Sequence, residues 1–154
     1  MRQGILFDLD GTLWDSSRQV VESWNVVLEQ QPDVRRRVTM KDIQGFMGLP
    51  MDEIGRRCFR DEGLSEERIR EVMKACEEYE NEYLRQKGGV LFPHLEDVLK
   101  QLSKDYFLAI VSNCQVGYIE AFLEYHRLGG YFSDTENFGR TGLQKGDNIR
   151  LVCD

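Results

Sequence analysis

Residues 4–12 read Gly-Ile-Leu-Phe-Asp-Leu-Asp-Gly-Thr, and this stretch decides the fold class of the chain. The short apolar run at 5–7 is typical of a buried strand, and Gly11 marks a turn directly after it. Asp8 and Asp10 therefore lie where a strand ends. Because ligands of open parallel sheets bind beyond the carboxyl ends of the strands, both carboxylates are candidate functional residues.

Strands and helices alternate in the second half of the chain. Residues 106–111 form a continuous apolar run, which is typical of a strand covered on both faces of a parallel sheet. That run ends at Ser112 and Asn113, a helical pattern follows, and a further strand is predicted near 134–138. The alternation predicts an α/β, Rossmann-like fold with right-handed crossovers.

A helical segment is inserted after the first strand. Val20, Trp24 and Val27 share one helical face, and Ser65 is the predicted N-cap of a later, long helix. The expected organisation is a discontinuous core of 1–14 and 87–154 with a helical cap of 15–86. An acidic cluster on the long helix is predicted to form a solvent-exposed face: Glu77, Glu78, Glu80 and Glu82.

The residue types at the strand ends suit phosphoryl transfer. A carboxylate such as Asp8 can form an aspartyl-phosphate, and a second one such as Asp10 can protonate the leaving oxygen. A hydroxyl and an amide, as in Ser112 and Asn113, can bind phosphate oxygens, and a lysine such as Lys145 can neutralise their charge. Mg²⁺ binds carboxylate and phosphate oxygens together, so it is the expected cofactor.

These motifs point to a family. Residues 7–13, Phe-Asp-Leu-Asp-Gly-Thr-Leu, resemble the DxDGT first motif of the haloacid dehalogenase-like (HAD) hydrolases. Residues 111–113 are similar to the second motif of that family, and Lys145 is similar to its third-motif lysine. The helical insertion is similar to the cap of the phosphoglycolate-phosphatase and β-phosphoglucomutase branch. The resemblance covers essentially the whole chain.

The resemblance implies a role for each matching residue. Asp8 would be the nucleophile and a Mg²⁺ ligand, and Asp10 would be the general acid and base, with its backbone carbonyl on the metal. Lys145 would be the third catalytic residue and would steady the phosphoryl group. The implied phosphate-binding set is Thr12, which also supports the loop, Ser112 and Asn113.

The implied reaction is the Mg²⁺-dependent hydrolysis of a phosphomonoester of a small metabolite. Family members that cleave carbon–halogen bonds lack the second aspartate, because that cleavage needs no acid on the leaving group. Asp10 therefore favours phosphate chemistry. A phosphomutase is the near alternative, since it shares the first half-reaction.

The chain departs from the family pattern at its end. The fourth motif, an acidic cluster usually of the form GDxxxD, is missing, and no apolar strand precedes Asp154. A helix is predicted to begin near Asp147, after a loop over 139–146, and no stop signal follows it. We expect either a piece of a longer hydrolase or a naturally short protein.

The missing part also bears on the partners of the chain. A strand beside the first one would be absent, which would leave the strand before Asp8 at an exposed edge that invites self-association. A full-length form would be a monomer. The alternative function is that of a non-catalytic remnant that binds a phosphorylated ligand or a protein.

Composition excludes several classes of protein. The hydrophobic fraction of 41% and charged fraction of 31% predict a globular protein. The net charge of −7 disfavours nucleic acid and anionic membranes as partners. No apolar stretch approaches the roughly 20 residues of a membrane span, and the first residues do not form a signal peptide. Four scattered cysteines predict neither a zinc site nor disulfides, and so favour the cytoplasm.

Other interpretations of single features were weighed. An EF-hand is excluded, because a calcium loop beginning at Asp8 would carry Gln19 where glutamate is required. His94 and His126 are predicted to be structural. Trp14 is predicted to pack where core and cap meet, with a possible place at the edge of the substrate pocket. The loop 46–50 is expected to face the site, so substitutions there should change substrate preference.

Overall fold

The structure, a computed structural model, describes residues 3–153, which contain five strands and eight helices. The strands are β1 (Gly4–Phe7), β2 (Trp14–Asp15), β3 (Val90–Leu91), β4 (Phe107–Ser112) and β5 (Asp134–Asn137). The helices are α1 (Ser17–Glu29), α2 (Met40–Phe46), α3 (Met51–Cys58), α4 (Glu66–Lys87), α5 (Leu95–Asp105), α6 (Tyr118–His126), α7 (Phe138–Thr141) and α8 (Lys145–Cys153). The predicted α/β class is confirmed.

The main sheet has three parallel strands in the order β1-β4-β5. Ile5 lies opposite Leu108, and Ser112 lies opposite Asn137. β4 is the central strand, with all of 108–112 buried, because α5 and α8 pack on it. β1 is an edge strand of this sheet, as expected, and its residues are only partly buried.

Two hydrophobic clusters make up the interior. One lies around the sheet and α6 and includes Trp14, Leu108 and Phe122. The other lies between the helices α1 to α4 and includes Trp24 and Cys76. The two clusters support the predicted division into core and cap, whose boundaries stay a prediction.

Local signals explain where the cap helices begin. The Thr39 side chain accepts a hydrogen bond from the Asp42 backbone N–H, and Asp42 accepts one from the Thr39 backbone, which is a complete capping box. Ser65 caps α4 by accepting from the backbone N–H of Arg68, as predicted. The long helix α4 then runs from α1 to α6 and connects the two clusters.

Three local predictions were wrong. The short antiparallel pair β2–β3 joins Trp14 to Leu91 and was not predicted, because two-residue strands carry no periodic pattern. The predicted loop over 139–146 contains most of α7, which begins directly after β5, where Asn137 caps it by accepting from the Arg140 backbone N–H. The last helix begins at Lys145 rather than near Asp147.

Candidate active site

A tight turn after β1 presents the two aspartates. Gly11 has a φ of +73°, which glycine adopts without strain, and its backbone N–H donates to the carbonyl of Trp14. The N–H of Leu13 donates to the carbonyl of Leu9, so the chain folds back on itself directly after β1. This turn places Asp8 and Asp10 in the lining of one cavity.

Asp8 lies against Lys145 from the far end of the chain. The Lys145 Nζ is 2.8 Å from the Asp8 Oδ1, and the Leu9 backbone N–H donates to the same oxygen at 2.8 Å. Within residues 3–153 the other oxygen, Oδ2, has no partner. One oxygen of Asp8 is therefore held in place, and the other is left for a ligand.

Asp10 is surrounded by hydrogen-bond donors. Its Oδ1 accepts from the Tyr118 hydroxyl at 2.7 Å, from the Trp14 Nε1 at 3.0 Å and from the Ser16 hydroxyl at 3.4 Å. Removal of the carboxyl group from water raises the pKa of Asp10, and this effect outweighs the three hydrogen bonds, which lower it. A carboxyl group with a raised pKa is suited to donate a proton.

The ends of β4 and of the cap loop meet at the same cavity. Ser112 is buried and lines it, and the Asn113 Nδ2 donates to the carbonyl of Gly48 at 3.0 Å. The Asn113 Nδ2 is thus occupied by the cap loop rather than free for a phosphate oxygen. Thr12 is exposed and lies outside the cavity lining. The structure therefore brings together every predicted site residue except Thr12.

The cavity has a volume of about 360 Å³. Its floor carries the predicted catalytic groups at the strand ends, and its roof is mostly apolar and comes from α1, α2, α3 and the loop 46–50. The roof residues are Val20, Trp24, Ile43, Phe46, Met47, Gly48, Leu49, Met51 and Ile54. The loop 46–50 lies at the site as expected, whereas Trp14 is fully buried and does not line the cavity.

Glu80 corrects the prediction that the acidic cluster of α4 is solvent-exposed. Its side chain is buried, lines the cavity and accepts hydrogen bonds from the Trp24 Nε1 and from the Gln115 Nε2. Glu80 follows Cys76 by four residues and precedes Leu84 by four, and both of these are buried. Helical periodicity would have found it, but the run of acidic residues concealed it.

Burial raises the pKa of Glu80 to about 8, against the lowering effect of its hydrogen bonds to Gln115 and Trp24. The folded state therefore holds a proton that the unfolded state releases between about pH 4.5 and 8. Stability contributed by this group is present at low pH and is lost as the pH rises through this window.

We expect the free energy of unfolding of the wild type to fall relative to that of Glu80→Gln between pH 5 and 8. The limit is about 1.4 kcal/mol for each pH unit. Urea unfolding followed by circular dichroism at each pH would measure the difference. The control is Glu78→Gln on the exposed face of the same helix. Parallel profiles for Glu80→Gln and the wild type would contradict the assignment.

The metal-ligating capacity of the site is limited. Within residues 3–153, no group of three or more histidine, cysteine, aspartate or glutamate side chains could hold a metal ion. Asp8 supplies one free carboxylate oxygen, and the Asp10 carbonyl lies on the same turn. Mg²⁺ prefers oxygen and commonly takes one or two carboxylates together with phosphate and water. The donors fit Mg²⁺ in kind and form part of its shell.

A family model for haloacid dehalogenase-like hydrolases matches residues 5–137 of the chain. The chain belongs to this family. The HAD match spans the turn with Asp8 and Asp10, the strand β4 and the cap helices, so it covers most of the elements that build the cavity. No curated protein matches this HAD-like hydrolase.

Solved structures of HAD-like proteins share the fold. A haloacid dehalogenase-like hydrolase of Bacteroides fragilis superposes with a TM-score of 0.80 at 23% identity, covering 100% of this chain and 72% of that one. A haloacid dehalogenase-like family protein of Streptococcus pneumoniae gives 0.78 at 26% identity, with 98% and 68% covered. A predicted phosphoglycolate phosphatase of Haemophilus somnus gives 0.79 at 22% identity, with 99% and 70% covered. In the described part of this hydrolase, no helix is long and apolar enough to cross a membrane.

Proposed function

We propose that the chain hydrolyses phosphomonoesters of small metabolites through an aspartyl-phosphate. The observation that carries this proposal is the grouping of Asp8, Asp10 and Lys145 at one end of a cavity of about 360 Å³. The neighbouring fold of a predicted phosphoglycolate phosphatase supports the same reaction class. A cavity of this size suits a small ester rather than a polymer.

Asp8 is the proposed nucleophile. Its unpartnered Oδ2 attacks phosphorus, the bond from phosphorus to the ester oxygen breaks, and the electron pair of that bond stays on the leaving oxygen. The Lys145 ammonium group holds the other carboxylate oxygen at 2.8 Å and so fixes the direction of attack. It also offsets negative charge that the substrate brings to the site.

Asp10 is the proposed proton donor and acceptor. Protonated Asp10 gives its proton to the leaving oxygen, and the alcohol departs. The resulting carboxylate then takes a proton from a water molecule that attacks phosphorus. The bond from phosphorus to the Asp8 oxygen breaks, which releases inorganic phosphate and restores both side chains. The hydrogen bonds from Tyr118 and Trp14 keep the carboxyl group of Asp10 in place.

The remaining groups hold the phosphoryl group and exclude water. Ser112 at the end of β4 and Lys145 are placed to bind phosphate oxygens. Mg²⁺, when bound at Asp8 and the Asp10 carbonyl, would neutralise the repulsion between carboxylates and phosphate. The hydrogen bond from Asn113 to Gly48 joins the core to the cap loop, so cap opening to admit substrate would have to break it.

The direct test is the hydrolysis of 4-nitrophenyl phosphate by the chain, with Mg²⁺ and with a chelator. We expect turnover with Mg²⁺ and its loss, by about a hundredfold or more, with the chelator. Transfer of phosphate to a second alcohol instead of water would indicate a phosphomutase. No turnover of any phosphomonoester under either condition would contradict the proposal and favour a binding protein.

The proposed setting follows from the cysteines. Cys58, Cys76 and Cys114 are buried, Cys153 is exposed, and all four are unpaired. Unpaired thiols favour a reducing compartment, so the cytoplasm is the proposed location.

A further inference from the structure

The cavity contains polar groups that the proposed reaction does not use. Glu80, Asn113 and Ser17 line it, in addition to the groups that would handle phosphate. What these three groups offer to a ligand indicates which alcohol the phosphate is attached to. The inference below rests on the proposed function and narrows its substrate class.

Glu80 is held as a hydrogen-bond acceptor. One oxygen accepts from the Trp24 Nε1 and the other from the Gln115 Nε2 at 2.9 Å, and the Gln115 amide is itself fixed by the Asn81 Oδ1 at 3.1 Å. Both partners are N–H donors, so they orient the carboxyl group without filling it. Because two carboxyl oxygens can accept about four hydrogen bonds, capacity remains on the side that faces the cavity.

Two further atoms in the lining lack a partner. The Asn113 Oδ1 and the Ser17 Oγ are buried and have no hydrogen-bond partner among residues 3–153. The Asn113 orientation is set by its Nδ2, which donates to the Gly48 carbonyl, so its oxygen is the atom left over. Ser17 is 1% exposed. A buried polar atom without a partner is unfavourable, and a ligand with donor groups would satisfy both atoms.

The cavity offers little to a second anionic group on the ligand. Among the described residues of the lining, Lys145 is the one cationic side chain, and it is paired with Asp8. A ligand carboxylate near Glu80 would form a pair of like charges in a desolvated place, so one of the two would have to hold a proton. The apolar roof, with Val20 and Ile54, suits a carbon chain instead.

We infer that the cavity selects phosphomonoesters of alcohols that carry a further hydroxyl or amino group, and that it discriminates against phosphomonoesters of hydroxy acids. The donor group of the ligand binds Glu80, with the Asn113 Oδ1 and the Ser17 Oγ as additional acceptors. Glu80 is thus a specificity-determining residue of the cap. The hydroxyl and amino forms share this chemistry, and the ligand series below separates them.

The test compares alkyl phosphates of two, three and four carbons that differ only in the terminal group. At each length the terminal group is methyl, hydroxyl, amino or carboxylate. Binding is measured by calorimetry with the Asp8→Asn variant, so that no ester is consumed. At the best length, we expect the hydroxyl or amino ester to bind about tenfold more tightly than the carboxylate ester.

Two variants locate the selection at Glu80. In Glu80→Gln, built on the same Asp8→Asn background, the preference for a donor over a carboxylate should fall to about twofold or less. The matched control Glu78→Gln lies on the exposed side of α4 and should leave the preference unchanged. Thermal unfolding of both variants shows that they are folded at the temperature of the measurement.

The outcomes separate this inference from the proposed function. Equal affinity for donor and carboxylate esters in the background variant overturns the inference, and so does a preference that survives Glu80→Gln. In both cases hydrolysis of 4-nitrophenyl phosphate by the wild type, if present, leaves the proposed function intact. If no ester of the series and no inorganic phosphate binds, and no ester is hydrolysed, both are overturned.

Discussion

Replacing Asp8 by asparagine is expected to lower the turnover of a phosphomonoester by at least about a thousandfold. The amide has nearly the shape of the carboxylate but is a far weaker nucleophile, so no aspartyl-phosphate forms. The fold should survive, because the ion pair between Asp8 and Lys145 leaves both side chains about a third or more exposed, and such pairs contribute little to stability. Steady-state hydrolysis of 4-nitrophenyl phosphate with Mg²⁺ measures the effect.

The control for this experiment is Asp105→Asn. Asp105 is exposed at the end of α5, remote in sequence from the turn after β1, and its loss should leave turnover within about twofold of the wild type. Turnover by Asp8→Asn above about a tenth of the wild-type value would show that another group attacks phosphorus. The proposed roles of Asp8 and Lys145 would then be wrong.

Trp14→Ala is expected to have the largest effect on stability, a loss of about 3–5 kcal/mol in the free energy of unfolding. Trp14 is fully buried, and its ring meets those of Tyr118 and Phe122 edge-to-face, at centroid distances of 5.6 and 5.0 Å. Its indole N–H also donates to Asp10. Removing the ring leaves a cavity in the cluster around the sheet and an unfilled hydrogen-bond position on Asp10.

A matched variant separates these two contributions. Trp14→Phe keeps an aromatic ring and loses the indole donor, so its stability should lie between those of the wild type and Trp14→Ala. Val90→Ala changes a side chain that is 65% exposed and should cost less than about 0.5 kcal/mol. Urea unfolding of the three variants provides the comparison. A loss below about 1 kcal/mol for Trp14→Ala would contradict the central place of this ring.

Much of the floor of the site could be predicted from local sequence. The strand before Asp8 and the apolar run before Ser112 are short-range patterns, and the topology of a parallel sheet brings their carboxyl ends together. Lys145 was harder, because no local pattern distinguishes a lysine at a site from one at the surface. Its position 2.8 Å from Asp8 depends on how α8 packs against the sheet.

The partners of Asp10 and Glu80 could not be predicted in the same way. Tyr118 reaches Asp10 across more than a hundred residues of sequence, and no spacing rule connects them. Glu80 was mistaken for a surface residue because its charged neighbours Glu77, Glu78 and Glu82 dominated the interpretation. A charged residue at a buried position of a helix calls for a partner from elsewhere, here Trp24 and Gln115, and the sequence of one helix cannot supply it.

The sequence by itself determined the α/β class, the order of the elements and the turn that carries Asp8 and Asp10, because hydrophobic periodicity and glycine turns act over a few residues. Only the tertiary structure decided which polar atoms line the cavity without a partner, such as the Asn113 Oδ1, and which carboxyl group is buried in its lining, Glu80. Burial and hydrogen bonding of a side chain depend on segments that meet only when the whole chain is packed.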